Sequence, residues 1–313
     1  MKMPDSDIAI PSRVGIDLGG TRIKVAEVSG SQVVRSESID TPAHEGPAAV
    51  MEAIARGVKR ITASPRRIGM AIPGEVDARG KVWRLPNIPG FEGYDIASDL
   101  ARRTGANLVA VENDATTAAY GEALYGLGRK YDSFLLITLG TGVGGGLVMA
   151  RRLVRGGHGF AAEVGHITVD PSPGAPRCAC GNTGCLESFA GTHALLDAFR
   201  RAGGTATEVL SIAESAHRGE AAGKAAFSQL TRALGIAINS IQNLLDLDAI
   251  VFSGGVSKSF DLIEAPLRAE LRARRYAEPL SEVPLLVSEF ADLAGVVGAA
   301  YLPDLDTARE LGP

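Results

Sequence analysis

The three cysteines of the chain, Cys178, Cys180 and Cys185, fall in one short Gly/Pro-rich stretch, with Glu163 and His166 upstream and Glu187 just beyond. Read as E-x-x-H, then C-x-C-x4-C, then L-E, the segment supplies the thiolate and imidazole ligands that a tetrahedral zinc ion takes. Gly181 and Gly184 let the backbone turn tightly enough to converge them. Two other readings compete. A disulfide plus a free thiol suits a secreted chain, but the opening residues, MKMPDSDIAIPSR, place acids and a proline where a signal peptide needs an apolar run. Incidental clustering leaves unexplained why every cysteine sits in one place. The spacing therefore predicts a Cys3His zinc site of His166, Cys178, Cys180 and Cys185. Closed four-ligand sites are mostly structural, so the metal is expected to shape chemistry rather than perform it.

Three glycine turns are the second chemical feature: Asp17 to Thr21 (DLGGT), Gly140 to Gly146 (GTGVGGG) and Ser253 to Val256 (SGGV). Each follows an apolar run that reads as a strand, and each lacks the side-chain bulk that would hold a polyphosphate away from backbone N–H groups. Gly140, Gly142 and Gly145 spell G-x-G-x-x-G, but a dinucleotide fingerprint needs a helix straight after the loop, and LVMA followed by RRLV reads as a returning hairpin. Asp17, ending the first strand, is placed to hold magnesium beside phosphates, or is an ordinary turn acid. Lys24 is a phosphate partner or a solvated strand residue, and the residue alone favours the second.

These groups need a scaffold. The 313 residues, 45% hydrophobic and 22% charged, are enough for two domains with ordinary cores. A net charge of -4 offers no basic footprint for nucleic acid, and no apolar run reaches the roughly 20 residues of a membrane span. A cytoplasmic protein acting on a small molecule is the expectation. Periodicity predicts strands over 13–18, 23–28 and 33–39, a helix over 47–61, a strand over 68–72, a helix near 96–103, a strand over 108–111 and a helix from Asn113 to about Tyr125. The plan then restarts with a strand over 134–139, the glycine turn at 140–146 and a return strand over 147–150. Helices are expected at 192–201, 208–217, 221–245 and 261–274, strands at 249–252 and 285–287, and a last helix near 293–302. The first domain is expected over 1–115 plus the C-terminal helix at about 293–313, the second, with the zinc segment, over 116–292.

The sequence resembles the ROK family of sugar kinases and related repressors, in the actin-like ATPase superfamily. The resemblance rests on DLGGTRIK (17–24), PGEVD (73–77), LPNIPGFE (85–92), ENDA (112–115), LGTGVGGG (139–146), GHGFAAEVGH (157–166) and CACGNTGCLE (178–187), in family order over nearly the whole chain. It implies an α/β fold of two actin-like (ribonuclease H-like) domains with a cleft between them. It also implies transfer of the ATP γ-phosphoryl group to a hexose hydroxyl, usually at C6, with Mg2+ and Zn2+ as cofactors and a homodimer or higher oligomer as the common assembly. Asp114 matches the catalytic base. Asn87, Asn113, Asp114, Glu163, His166 and Glu187 match sugar ligands, and the resemblance makes Asp17, Gly19, Gly20, Thr21, Lys24, Thr141, Gly142, Gly254 and Gly255 the nucleotide-binding residues. Ala162 stands where glycine is frequent, Phe91 where tryptophan is common and Ala190 where serine is frequent, changes that bear on sugar preference.

Phosphoryl transfer has a loose transition state, so positioning and charge neutralisation matter more than a strong base. Asp114 in the first turn of a helix is expected to be favoured in its ionised form by the dipole and free N–H groups, with Asn113–Asp114 also capping that helix. With zinc on one imidazole nitrogen, His166 donates from the other to a sugar hydroxyl, which leaves zinc remote from phosphate. Glucose leads among hexoses; mannose, N-acetylglucosamine, N-acetylmannosamine and fructose follow. A sugar-sensing repressor is the rival reading, although only about a dozen residues precede the first strand, too few for a helix-turn-helix. A nicotinamide oxidoreductase rests on the weak glycine fingerprint alone.

Overall fold

The computed structural model describes residues 13–77 and 79–309. The chain forms two compact units: one draws on Met1–Tyr125, Gly156–Phe160 and Asp292–Pro313, the other on Gly126–Arg155 and Ala161–Ala291.

The first unit opens with β1 (Arg13–Leu18), β2 (Arg22–Ser29) and β3 (Gln32–Asp40), an antiparallel meander. Helix α1 (Pro47–Ile61) starts on Pro47, whose missing N–H costs nothing in a first turn, and buries Val50, Ile54, Val58 and Ile61 along one face. Strand β4 (Arg67–Ile72) then pairs parallel to β1. A small hairpin, β5 (Glu75–Val76) and β6 (Val82–Arg84), follows, with Glu75 and Arg84 joined by an ion pair. Helix α2 (Ile96–Thr104) is capped by the Asp95 carboxylate, which accepts from the Ser98 N–H at 2.9 Å, and β7 (Leu108–Asn113) closes the sheet beside β4 before α3 (Asp114–Tyr125). The strand order is β3-β2-β1-β4-β7. Its apolar face and the inner faces of α1 and α2 form one core that includes Ile16, Met51, Ile54, Ile68, Met70, Phe91 and Leu100.

The second unit repeats the plan. Strands β8 (Phe134–Leu139), β9 (Val143–Met149) and β10 (Arg152–Val154) form the meander, and after α4 (Glu187–Ala190), α5 (Thr192–Arg201), α6 (Val209–His217) and α7 (Ala221–Leu245) the chain returns as β11 (Ala249–Ser253), parallel to β8. Helices α8 (Glu264–Arg274) and α9 (Glu278–Ser281) lead to β12 (Leu285–Val287), giving the order β10-β9-β8-β11-β12. In each sheet three antiparallel strands are followed by two parallel ones in the same positions. The core gathers around Leu136's neighbours Leu135 and Ile137, with Phe199, Leu234 and Phe252.

Helix α10 (Ala291–Arg309) belongs, from Asp292, to the first unit. It approaches the sheet backbone so closely that a Cβ at Gly69 would overlap the Ala299 carbonyl oxygen. Asp304 receives Arg13 at 2.9 Å and Arg67 at 2.5 Å, and the Arg13 guanidinium lies 4.7 Å from the Tyr301 ring centroid.

Three local expectations need correction. Residues 140–146 are not one turn: β9 begins at Val143, and Gly144, Gly145 and Gly146 pair with Thr138, Ile137 and Leu136. Glycine reads as turn from sequence, yet ladder hydrogen bonds need only the backbone. The last helix does not stop at Leu302 but runs through Pro303, and Asp304 just past the proline pairs with Arg13 and Arg67. The chain before α8 is 3-10 over Gly255–Leu262, so α8 starts at Glu264 rather than 261.

Candidate active site

In the first unit the side chains gather where β1 and β7 end. Asp17 sits across from Lys24 in the β1–β2 pairing, and the Lys24 charge opposes the burial that pushes the Asp17 carboxyl up. This cross-strand position gives Lys24 an electrostatic partner that its solvated-strand reading lacked. The turn between the strands is closed by the Gly19 N–H donating to the Arg22 carbonyl at 2.8 Å and by the Thr41 hydroxyl donating to the Gly19 carbonyl at 2.8 Å. Thr21 is exposed, and a Cβ at Gly20 would lie 3.4 Å from the Asn87 Cβ, so Asn87 borders this turn.

Asn113 and Asp114 occupy the junction of β7 and α3. The Asn113 Oδ1 accepts from the Thr116 N–H at 3.0 Å, a cap, while its Nδ2 donates to the Gly74 carbonyl at 3.0 Å. An amide carries two protons and two lone pairs, so capacity for a hydroxyl remains. Asp114 Oδ1 accepts from the Ala115 N–H at 2.7 Å. Its pKa is raised to about 6: desolvation by surrounding protein dominates, the negative Asp17 adds to it, and the helix N–H groups oppose both. The expectation that the helix terminus favours ionisation is therefore outweighed, although the carboxylate is still mostly charged at pH 7. By accessible area Asp114 is exposed, so water reaches it and takes back part of that push.

In the second unit the chain builds a knuckle. Thr168 bridges Cys185, Arg177 bridges Thr183, and the Cys178 N–H donates to the Asn182 carbonyl at 2.8 Å, which folds the cysteine loop back over His166. Glu163 precedes and His166 ends a single 3-10 turn, Val164–His166. One ligand atom from each of His166, Cys178, Cys180 and Cys185 lies within 4.8 Å of all the others. The Cys180 and Cys185 sulfurs are 3.7 Å apart, and Cys178 Sγ is 3.7 Å from His166 Nδ1. A tetrahedron with metal–sulfur bonds of about 2.3 Å has edges of about 3.8 Å, so the set fits a four-coordinate ion. Burial pushes the Cys178 thiol up and the Cys185 thiol up to about 12, a cost that a bound cation reverses. With Nδ1 turned to the sulfurs, Nε2 is the nitrogen left for other partners.

Glu187, at the start of α4, joins this knuckle to the glycine turn after β8. Its Oε1 lies 3.8 Å from Cys178 Sγ, and its Oε2 accepts from the Val143 N–H at 3.0 Å. A Cβ at Gly142 would meet that same Oε2, so a side chain here would displace the Glu187 carboxylate. One carboxylate thus touches both the cysteine segment and the glycine turn after β8. Gly254 packs on the Leu139 carbonyl, so Gly254 and Gly255 lie beside the turn that carries Thr141 and Gly142.

The duplicated meander-and-parallel sheet, with a glycine turn after the first strand of each copy, defines an actin-like ATPase fold carrying a cysteine–histidine knuckle. Within that class the chain belongs to the ROK family, whose model matches residues 13–304. It is 32% identical to the glucokinase of Halalkalibacterium halodurans over 92% of this chain and 94% of that protein. Among solved structures it is similar to a ROK glucokinase from Streptomyces griseus in complex with glucose and AMPPNP, with 30% identity, 94% of this chain and 99% of that one covered, and a TM-score of 0.80. A ROK hexokinase from Thermus thermophilus matches with 31% identity, 96% and 100% coverage and a TM-score of 0.80. No helix among the described residues is long and apolar enough to cross a membrane.

Proposed function

We propose that this protein transfers the γ-phosphoryl group of ATP to the C6 hydroxyl of a hexose, glucose before others. The observation that carries the reading is Asp114: a carboxylate at the first turn of α3, held by the Ala115 N–H, with its pKa raised to about 6 next to Asp17. A base poised near neutral pH takes the hydroxyl proton as the sugar oxygen bonds to phosphorus and ADP departs. The similarity to glucokinases, and to a structure described with glucose and AMPPNP, supports both substrates.

Asn87, Asn113, Glu163, His166 and Glu187 would bind the sugar hydroxyls. The turns bearing Gly19, Gly20 and Thr21, Thr141 and Gly142, and Gly254 and Gly255 would take the nucleotide phosphates on backbone N–H groups, with Lys24 nearby. Asp17 would hold Mg2+, which neutralises phosphate charge. His166, Cys178, Cys180 and Cys185 would hold Zn2+; its contribution is to fix the knuckle, and His166 then donates from Nε2 to a sugar hydroxyl. Such a donor discriminates strongly, because a sugar lacking that hydroxyl strands a buried polar group.

The test is a coupled assay over glucose, mannose, fructose, N-acetylglucosamine and N-acetylmannosamine with ATP, reported as kcat/KM, with Asp114→Ala alongside. Glucose is expected to lead and the variant to lose about two to four orders of magnitude. Retained turnover in Asp114→Ala would remove the residue as base. A chain that binds glucose but phosphorylates none of the five, and shifts a specific DNA, would instead be a sugar-responsive regulator.

A further inference from the structure

We infer that Thr192 is a positioning residue for the phosphates of the nucleotide, acting through the turn at 140–143; the inference rests on the assignment of that turn to ATP. Thr192, the first residue of α5, donates twice to one acceptor: its N–H reaches the Gly140 carbonyl at 2.9 Å and its hydroxyl the same oxygen at 2.8 Å. On the other flank of the turn Glu187 Oε2 takes the Val143 N–H at 3.0 Å. Between them Gly191 approaches so closely that a Cβ there would lie 3.0 Å from the Thr141 carbonyl oxygen. Residues 187 to 192 thus grip the turn on successive sides.

The grip has a directional consequence. In a trans peptide the C=O and the following N–H point to opposite sides. With the Gly140 carbonyl held by Thr192, the Thr141 N–H faces away from α5, and Thr141 is exposed. A loop of glycines loses more freedom on ordering than any other, and a loop ordered beforehand binds its ligand more tightly because that cost is not charged to binding. Thr192 acts on the loop, not on the ligand. The residues that do so follow directly on Cys185, so the knuckle supports the nucleotide as well as the sugar.

The experiment compares the intact protein with Thr192→Val and Thr192→Ser, using a fluorescent non-hydrolysable ATP analogue with magnesium and no sugar, then KM for ATP and for glucose separately. Thr192→Val keeps the backbone donor and removes the hydroxyl. It is expected to weaken nucleotide binding about two- to tenfold, with the glucose KM changed less than twofold, and Thr192→Ser is expected to restore binding. Nucleotide affinity equal to that of the unaltered protein, or equal losses for nucleotide and sugar, would overturn the assignment while leaving the kinase reading intact. An unaltered protein that binds no nucleotide would sink both.

Discussion

Asp114 holds its charge against its surroundings, and this makes two measurements informative. Because the base must be ionised to accept a proton, kcat/KM should fall as pH drops through about 6. A limb near the ordinary carboxylate value would mean that water screens Asp114 more fully than its neighbours desolvate it. Stability runs with the opposite sign. A carboxyl whose folded pKa is raised favours the neutral form in the fold, so its contribution is complete below the usual 3.8 and is lost as pH rises through about 6. Asp114→Asn, neutral throughout, should therefore be more stable than the unaltered protein at pH 8, by less than about 1 kcal/mol since the site is wet, and equal to it near pH 3. Ala162 offers a second residue-level test. It adopts φ 65, a left-handed conformation that costs an L-residue roughly 1 kcal/mol. Ala162→Gly should raise stability by up to that amount in a denaturant titration.

At the scale of elements, α10 is held to its sheet by close backbone approach and by two arginines. Removing Asp304 takes away the carboxylate that Arg13 and Arg67 share, and Arg13 Nε has no hydrogen-bond partner among the described residues. Asp304→Ala should cost about 1–3 kcal/mol by urea unfolding, and an unchanged midpoint would show the pins to be incidental. The same helix illustrates what sequence pattern conveys. Helices α1, α5 and α7 and strands β8 and β12 were legible to the residue, because their apolar spacing is complete and their ends are marked by proline, glycine or charge. The passage through Pro303 was not, since proline reads as a stop, and Asp304 just beyond it meets partners 237 and 291 positions away. Nor was the β5–β6 hairpin, two and three residues long, which is too short to show a period and is held by the Glu75–Arg84 pair. The site divided likewise. Ligand types were readable from Cys178, Cys180, Cys185 and His166, whereas Thr192 looked like an ordinary helix start, and only the fold brings its hydroxyl to Gly140.

Across the molecule, a metal held by the proposed Cys3His set would couple to the fold. The knuckle that gathers the four ligands also carries Glu187, so chelation should lower Tm by on the order of 10 °C and weaken sugar and nucleotide together. Metal content measured beside thermal unfolding checks this, and a metal-free protein with an unshifted Tm would refute it. One further property follows from the hairpin. The single tryptophan of the chain, Trp83, is 61% exposed on β6 and meets Phe160 at a ring-centroid distance of 5.7 Å. Phe160 precedes Glu163 by only three residues. Every photon of indole emission from this protein therefore originates beside the segment that leads to a proposed sugar ligand. The emission of Trp83 gives the molecule an intrinsic optical reporter of that segment, readable without label or coupling enzyme.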